Sequence, residues 1–518
     1  MVTKFWRIGS VLTLIALAAA QAQTPKLSVL GSFRAGPYDK GAAEIVAHDP
    51  ATQRLFVVNG ADRTIDILDM SDPTKVTRIS QVQIPSEYGH SANSVAAKNG
   101  VIAAAVQAEV KTDPGTCLFL DAEGRVLKSV KVGALPDMLT FTPDGKYVLV
   151  ANEAEPSADY TVDPEGSVSV IDISGGIDNL TQANVRTAGF GQFTLQSLVP
   201  GVRIFGPNAT VAQDLEPEYI AVSPDSKTAY VTLQENNAMG VLDVETATFR
   251  RIAALGVKAH WRAGNEIDSS DRDNLKSPRT WTVWGMYMPD GVATFVGPDN
   301  QVYLVTANEG DAREHGDYVE AARVSTLKLD PAFYPNASEL QQANWLGRLN
   351  VSKASGDLDG DGDYDMLFSF GARSVSVWTA DVQLAWDSHN QLETFTAQER
   401  PEAFNVSNTD NTVDSRSDDK GPEPEGVVIG NIGGKNYAFV GNERSSNIVM
   451  YDLTVPYAPQ YVGMAWNRNL TAKTDTAEAG DLGPEGLIFI RAADSPVSKP
   501  LLVVANEISG TTTVWQID

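Results

Sequence analysis

From Leu501 to Asp518 the chain reads LLVVANEISGTTTVWQID, and from Tyr437 to Asp452 it reads YAFVGNERSSNIVMYD. In each, a run of β-branched and aromatic residues ends near Asn-Glu, a short polar turn follows, and a second run ends at or near Asp. This is the pattern of a two-stranded antiparallel hairpin. Outward from these two, it recurs as LFVVNGADRTIDILD from Leu55, IAAAVQAEVKTDPGTCLFLD from Ile102, YVLVANE from Tyr147 with SVSVID after an insertion, and AYVTLQENNAMGVLD from Ala229. VYLVTANEGDARE from Val302, with RVSTLKLD as its partner, and MLFSFGARSVSVWTAD from Met366 bring the hairpins to eight.

Another strand precedes most hairpins, introduced by a small residue or Pro and then an acid or amide. The pairs are Ala43-Glu44, Ala92-Asn93, Pro136-Asp137, Pro217-Glu218, Pro289-Asp290, Pro424-Glu425 and Pro484-Glu485. Repeated strand–turn–strand units with this lead-in predict an all-β chain folded as a β-propeller. The Met366 unit lacks the lead-in, so the expectation is seven or eight blades, with eight favoured by the hairpins. The last hairpin reaches Asp518 without an outer strand, whereas KLSVLGSF, from Lys26 to Phe33, is a strand without a blade. Pairing the two closes the ring and removes two open edges. Residues 26–518 are therefore expected to form a single propeller domain.

Lys4 and Arg7, an apolar run from Ile8 to Ala20, and Ala20-Gln21-Ala22 make residues 1–22 a signal peptide by pattern. The run is too short to span a bilayer, and no second one follows, so the expected location is secreted or periplasmic with no transmembrane segment. Cys117 is the only cysteine, which leaves no disulfide within the chain. The formal charge is −26, and loss of Lys4 and Arg7 with the signal peptide takes it to −28. Such a charge excludes nucleic acid as a partner and favours metal cations or cationic surfaces.

FTPDGKYVLVANE and AVSPDSKTAYVTLQENN resemble the repeats of surface-layer propellers. Over nearly the whole mature chain, AEIVAHDPATQRLFVVN, LPDMLTFTPDGKYVLVANEAEP, DLEPEYIAVSPDSKTAYVTLQENNA, YLVTANEGDARE, GPEPEGVVIG and GPEGLIFI resemble the choice-of-anchor I family. That family includes domains similar to mesenchyme-specific cell-surface glycoproteins. The resemblance implies a propeller, export and association with calcium, and implies enzyme activity only weakly.

In a propeller, the loop entering each innermost strand and the loop joining the second and third strands open on one face. Glu44, Asn93, Asp137, Glu218, Asp290, Glu425 and Glu485 are expected to form an inner ring there. Glu109, Glu153, Glu235, Glu309, Glu443 and Glu507 are expected to form an outer one. Converging carboxylates raise one another's pKa unless a cation compensates, and oxygen ligands without Cys or His clusters suit Ca²⁺. The alternative is that each acid pins a neighbouring blade through backbone N–H groups. Glu309, Asp311, Arg313 and Arg444 flank this mouth in sequence, and the insertion HWRAGNEIDSSDRDNLKSPRTWTVWGMYMPD leads toward it with Trp261, Arg262, Trp281 and Trp284. A mixed, aromatic-rimmed mouth holding a polar or anionic small molecule or a surface component beside a metal is the expectation.

The segment Asp357-Leu-Asp359-Gly-Asp361-Gly-Asp363-Tyr-Asp365 places carboxylates around glycine turns before the run MLFSF. It resembles the calcium loops of integrin-type propellers. Asp357, Asp359, Asp361 and Asp365 are expected to supply side chains, and Asp363 its carbonyl. The five histidines show no metal spacing, and neither a nucleophile elbow nor a phosphate-binding glycine loop is present. Two functions stand: a calcium-binding surface-interaction module with an acidic mouth, or a calcium-dependent hydrolase, phosphoesterase (alkaline-phosphatase-like) or lactonase, using the same mouth.

Overall fold

The structure, a computed structural model, describes residues 24–518. The signal peptide expected at residues 1–22 lies outside the described residues. Second-strand segments such as Tyr147–Asn152 and Leu501–Asn506 are buried almost throughout rather than on alternate residues. A strand reads as a continuous apolar run when its sheet is covered on both faces, and here each sheet packs between two others.

Among the described residues, seven sheets are four-stranded and antiparallel. Blade 1 contains Val46–Asp49, Arg54–Asn59, Thr64–Asp69 and Thr77–Gln83. Blade 2 contains Ala92–Lys98, Val101–Val106, Pro114–Leu120 and Val126–Ala134; blade 3 contains Pro136–Phe141, Tyr147–Asn152, Ser167–Asp172 and Val185–Gly189. Blade 4 contains Ile220–Val222, Thr228–Leu233, Ala238–Asp243 and Thr248–Ala254; blade 5 contains Val292–Val296, Val302–Asn308, Ser374–Thr379 and Leu384–Asp387. Blade 6 contains Pro424–Ile432, Lys435–Asn442, Asn447–Asp452 and Gln460–Trp466; blade 7 contains Pro484–Ile490, Leu501–Asn506, Thr511–Ile517 and, outermost, Leu27–Arg34.

The first strands of blades 1 to 7 neighbour one another in order, and the first strand of blade 7 returns to that of blade 1. The core lies between sheets rather than in one centre. Phe56, Ile65 and Ile67 meet Val95, Ile102 and Leu118 between blades 1 and 2, and Val46, Leu55 and Leu68 meet Ile490, Val503 and Val514 between blades 1 and 7. Among the described residues, no helix is long and apolar enough to cross a membrane.

The preference for eight blades is corrected to seven four-stranded sheets. Tyr303 to Asn308 pairs directly with Thr379 to Ser374, so the Val302 and Met366 hairpins are two halves of blade 5. RVSTLKLD is not the partner strand: Ala321–Arg323 pairs with Asn350–Ser352, and Val324–Thr326 is a 3-10 turn. Apolar residues of the insertion between the two halves build a lobe together with the segment that precedes blade 5. Its core joins Ile267, Trp281, Val324, Leu346, Val351 and Leu367, and this draws the run MLFSF away from the blade.

Ring closure follows the expected pairing, from Leu27 opposite Ile517 to Arg34 opposite Thr511. A register shift between Val29 and Gly31 brings the closing strand against blade 1, where a Cβ on Gly31 would lie 2.6 Å from the Pro73 carbonyl oxygen. Gly31→Val should therefore cost about 1–3 kcal/mol by overpacking at the seam. The expected result is a lower melting temperature of the whole chain, and an unchanged one would show that this contact does not hold the ring shut.

Candidate functional site

Three of the innermost strands enter through a local irregularity at the Pro-acid pair. Register shifts fall between Pro136 and Leu139, Pro424 and Val427, and Pro484 and Leu487. Such bulges re-aim a side chain out of the alternating pattern. The backbone of the same residues stitches blade to blade: Gly486 N donates to Glu44 O at 3.1 Å, and Gly291 N donates to Glu425 O at 3.2 Å. A Cβ on Gly426 would lie 2.1 Å from the Glu485 carbonyl oxygen, so the close approach requires glycine after the acid. At Glu44 and Glu425 it is the backbone carbonyl that serves the neighbouring blade.

The inner carboxyls are desolvated and face one another. Burial first, then Glu507 and Asp137, pushes Glu44 up to about 8; burial first, then Glu155 and Glu235, pushes Asp137 up to about 7. Glu218, Asp290, Glu425 and Glu485 all lie well above the usual carboxylate range, through burial first and neighbouring acids second. Glu153, Glu218 and Glu235 bring one oxygen each within 4.8 Å of the others. Glu218, Glu235, Glu425 and Glu485 each keep a buried Oε2 without a hydrogen-bond partner. Asn93, the amide of the ring, donates to Pro136 O at 3.1 Å and ties blade 2 to blade 3.

The cations near the mouth pair with outer-ring acids and with Glu423 rather than with the inner ring. Lys420 Nζ meets Glu309 at 2.9 Å, Asp311 at 3.2 Å and Glu423 at 3.2 Å, while Arg444 meets both Glu423 and Glu443 at 3.0 Å. Arg416 meets Glu423 at 2.6 Å and Asp419 at 2.7 Å. Despite its burial, Glu423 is held far below the carboxylate range by Lys420, Arg416 and Arg444. Lys420, Arg416, Arg444 and Asp419, with Glu235, Asp311 and His315, line a cavity of about 280 Å³.

Several expectations need correction. Arg313 is not open to a ligand: it is buried between Asp214 at 2.6 Å and Glu216 at 2.7 Å, over the Phe205 ring. Glu109 stays outside the mouth, 81% exposed and bonded to His90 at 3.0 Å. The tryptophans do not rim the mouth cavity. Trp281 packs on Trp345 in the satellite core, and Trp261 and Trp284 line a separate groove, because Trp284–Met286 pairs with Val257–Ala259 outside the seven blades. Asp214, Glu216, Glu423, Lys420 and Arg416 join the site without having stood among the expected residues. Two of them carry a sequence signal, since Glu-Pro-Glu occurs at both 216–218 and 423–425.

The aspartate loop divides. Asp357, Asp359 and Asp361 bring oxygens within 4.8 Å of one another on the surface, and Asp357 accepts from Gly360 N at 2.8 Å and Gly362 N at 3.0 Å. Asp363 and Asp365 instead gather with Asp330. Lys328 Nζ lies 3.0 Å from Asp363, and Asp365 accepts from Leu358 N at 2.7 Å.

Fold and site together define a propeller of seven four-stranded sheets whose strand entries converge as buried, mostly unpaired carboxyls. The sequence matches the choice-of-anchor I domain over residues 44–456, and the chain belongs to that family. It is 32% identical over 191 residues to Gigasin-3a of Magallana gigas, covering 34% of this chain and 66% of that protein. It is 29% identical over 282 residues to the mesenchyme-specific cell surface glycoprotein of Strongylocentrotus purpuratus, covering 48% of this chain and 36% of that protein. The chain thus spans less than two thirds of either relative. Among solved structures, hydrazine synthase of Kuenenia stuttgartiensis aligns over 93% of this chain and 97% of its own, with 13% identity and a TM-score of 0.47.

Unfolded, Glu44 and Asp137 would ionise near 4.5 and 3.8; folded, they do so near 8 and 7. Between those limits the folded chain binds more protons, so its stability falls as pH rises. In chelator-treated buffer the melting temperature should decline from pH 5 to pH 8. A flat profile would mean that these carboxyls ionise freely in the folded state.

Proposed function

We propose that the chain is an extracellular surface-interaction module that holds Ca²⁺ at its acidic mouth. The observation that carries this reading is the Glu153, Glu218 and Glu235 cluster, with oxygens within 4.8 Å and buried Oε2 atoms on Glu218 and Glu235 that no donor meets. A hard divalent ion with oxygen ligands relieves both the repulsion and the missing partners. The exposed Asp357, Asp359 and Asp361 offer a second oxygen-only set that fits the same ion, with the loop backbone already turned by Gly360 and Gly362. The signal-like N-terminus and the cell-surface name carried by one relative support export.

The hydrolase reading has less support. Arg313, Lys420 and Arg444 are tied into ion pairs, so the mouth offers them to no scissile group.

Calcium titration of chelator-stripped protein by calorimetry tests the mouth. Replacing Glu218, Glu425 and Glu485 together by Gln keeps shape and removes charge. The variant should stay folded and lose the mouth class of calcium sites; loss of stability with unchanged calcium binding would make the acids structural and end the proposal.

The loop is tested separately. Bound calcium should add about 2.7 kcal/mol of stability at a hundredfold excess over Kd, by mass action, and so raise the melting temperature. Asp359→Ala should remove the share of that shift contributed by the loop and leave the mouth sites intact. An unchanged shift would place the metal elsewhere.

A further inference from the structure

Beside blade 5 lies a groove of about 560 Å³ that shares no lining residue with the mouth cavity. One wall is the outermost strand Leu384–Asp387, and the other is the pair Val257–Ala259 and Trp284–Met286. Three of the chain's nine tryptophans, Trp261, Trp284 and Trp386, converge on it. Trp261 is 40% exposed and sits edge to face with Trp284, ring centroids 4.5 Å apart. Trp386 is braced from behind by Tyr451 at 5.3 Å. Indoles left partly exposed on a rigid frame mark a contact surface.

Polar groups are interleaved with these rings, which argues against a lipid tail or a wholly apolar partner. Lys258 and Asp387 neutralise each other at 2.9 Å within the frame. His389 Nδ1 lies 2.8 Å from Asn265 Oδ1; since that oxygen only accepts, Nδ1 donates and Nε2 is left as an acceptor toward solvent. Arg262 is exposed and has no ion-pair partner among the described residues, so the net free charge of the groove lining is positive. The distant carboxylates of a −26 chain are screened beyond about 8 Å at physiological salt.

Flat apolar faces, an acceptor for hydroxyl protons and one planar cation match the C–H face, hydroxyls and carboxylate of a pyranose acid. We infer that this groove is a binding site for a uronic-acid-containing saccharide. It deepens the surface-module reading by naming the chemistry of the surface component, and rests on that reading for its setting. No covalent step is involved.

The test is tryptophan-fluorescence titration of the full chain with oligomers of galacturonate, glucuronate, mannuronate and guluronate, in chelator so that neither calcium site takes part. At least one uronate series should bind and perturb the emission. Trp261→Ala should weaken it about tenfold. Arg262→Gln should weaken uronate binding and abolish its dependence on salt, and neutral cello-oligosaccharides should bind more weakly than the uronates. Trp261 is surface-placed, so its removal leaves the core intact, and matching melting curves confirm this. The inference is overturned if no uronate series binds the parent protein, if Trp261→Ala binds as well as the parent, if neutral sugars bind as tightly, or if an extended peptide adding to the Leu384–Asp387 edge occupies the groove instead. Because chelator removes calcium from every arm, failure here leaves the calcium reading standing, and failure of calcium binding leaves this one standing.

Discussion

A ring of sheets has no terminal blade, and every other feature of this molecule depends on that closure. Each sheet is covered on both faces only if the last meets the first, and the chain achieves this by pairing Leu27–Arg34 with Thr511–Ile517. The contact joins the two most distant described parts of the sequence, so it carries a large loop-closure cost that burial between blades 7 and 1 has to offset. Closure also brings the seven strand entries together at one mouth. At three of them, Asp290-Gly291, Glu425-Gly426 and Glu485-Gly486, glycine lets neighbouring backbones touch, and the Glu44 and Glu425 carbonyls accept the N–H across the gap.

The price of that arrangement is electrostatic. Two charges 4.8 Å apart repel by about 3–4 kcal/mol at an effective dielectric of about 20, so Glu153, Glu218 and Glu235 fully ionised would store about 10 kcal/mol. That is comparable to the whole net stability of a typical domain. The trio therefore cannot stand bare and ionised; it holds protons or a cation. On the far wall the balance is different, because Lys420, Arg416 and Arg444 surround Glu423 and keep it charged despite its burial. One mouth thus contains a compensated wall and an uncompensated one. Glu44 and Glu425 bridge neighbouring blades through their backbone carbonyls, and the Oε2 atoms of Glu218, Glu425 and Glu485 take no part in such pinning.

Six hairpins and the closing strand were legible because strands covered on both faces write themselves as unbroken apolar runs ending in turn residues. The seventh hairpin looks like two in the sequence. Its halves, Val302–Asn308 and Ser374–Thr379, are separated by an insertion whose own apolar residues imitate strands while packing into a satellite core. The inner acids were legible through their repeated lead-in. Lys420 and Arg416 were not, since SRSDDKG gives no periodic cue and only the fold brings it opposite Glu309. Arg313 was read as available because sequence shows a charge and not its partners; Asp214 and Glu216, from the approach to blade 4, enclose it.

The insertions around blade 5 also relate the aspartate loop to the tryptophan groove. Tyr364, inside the loop, packs against the satellite core that holds Trp281, Leu329 and Leu367, and it bridges Leu329 directly. Phe368, a few residues on, pairs in parallel with Trp284 and lies 6.2 Å from its ring. An ion that stiffened Asp357 to Asp361 would therefore act on a short, packed path ending at one wall of the groove. The mouth carboxylates have no such path, since they hang from the entries of the blades themselves. Calcium at the mouth would stabilise the ring, whereas calcium at the loop would order the lobe that carries the exposed aromatic surface. One ion would thus act in two separable ways in a single closed fold.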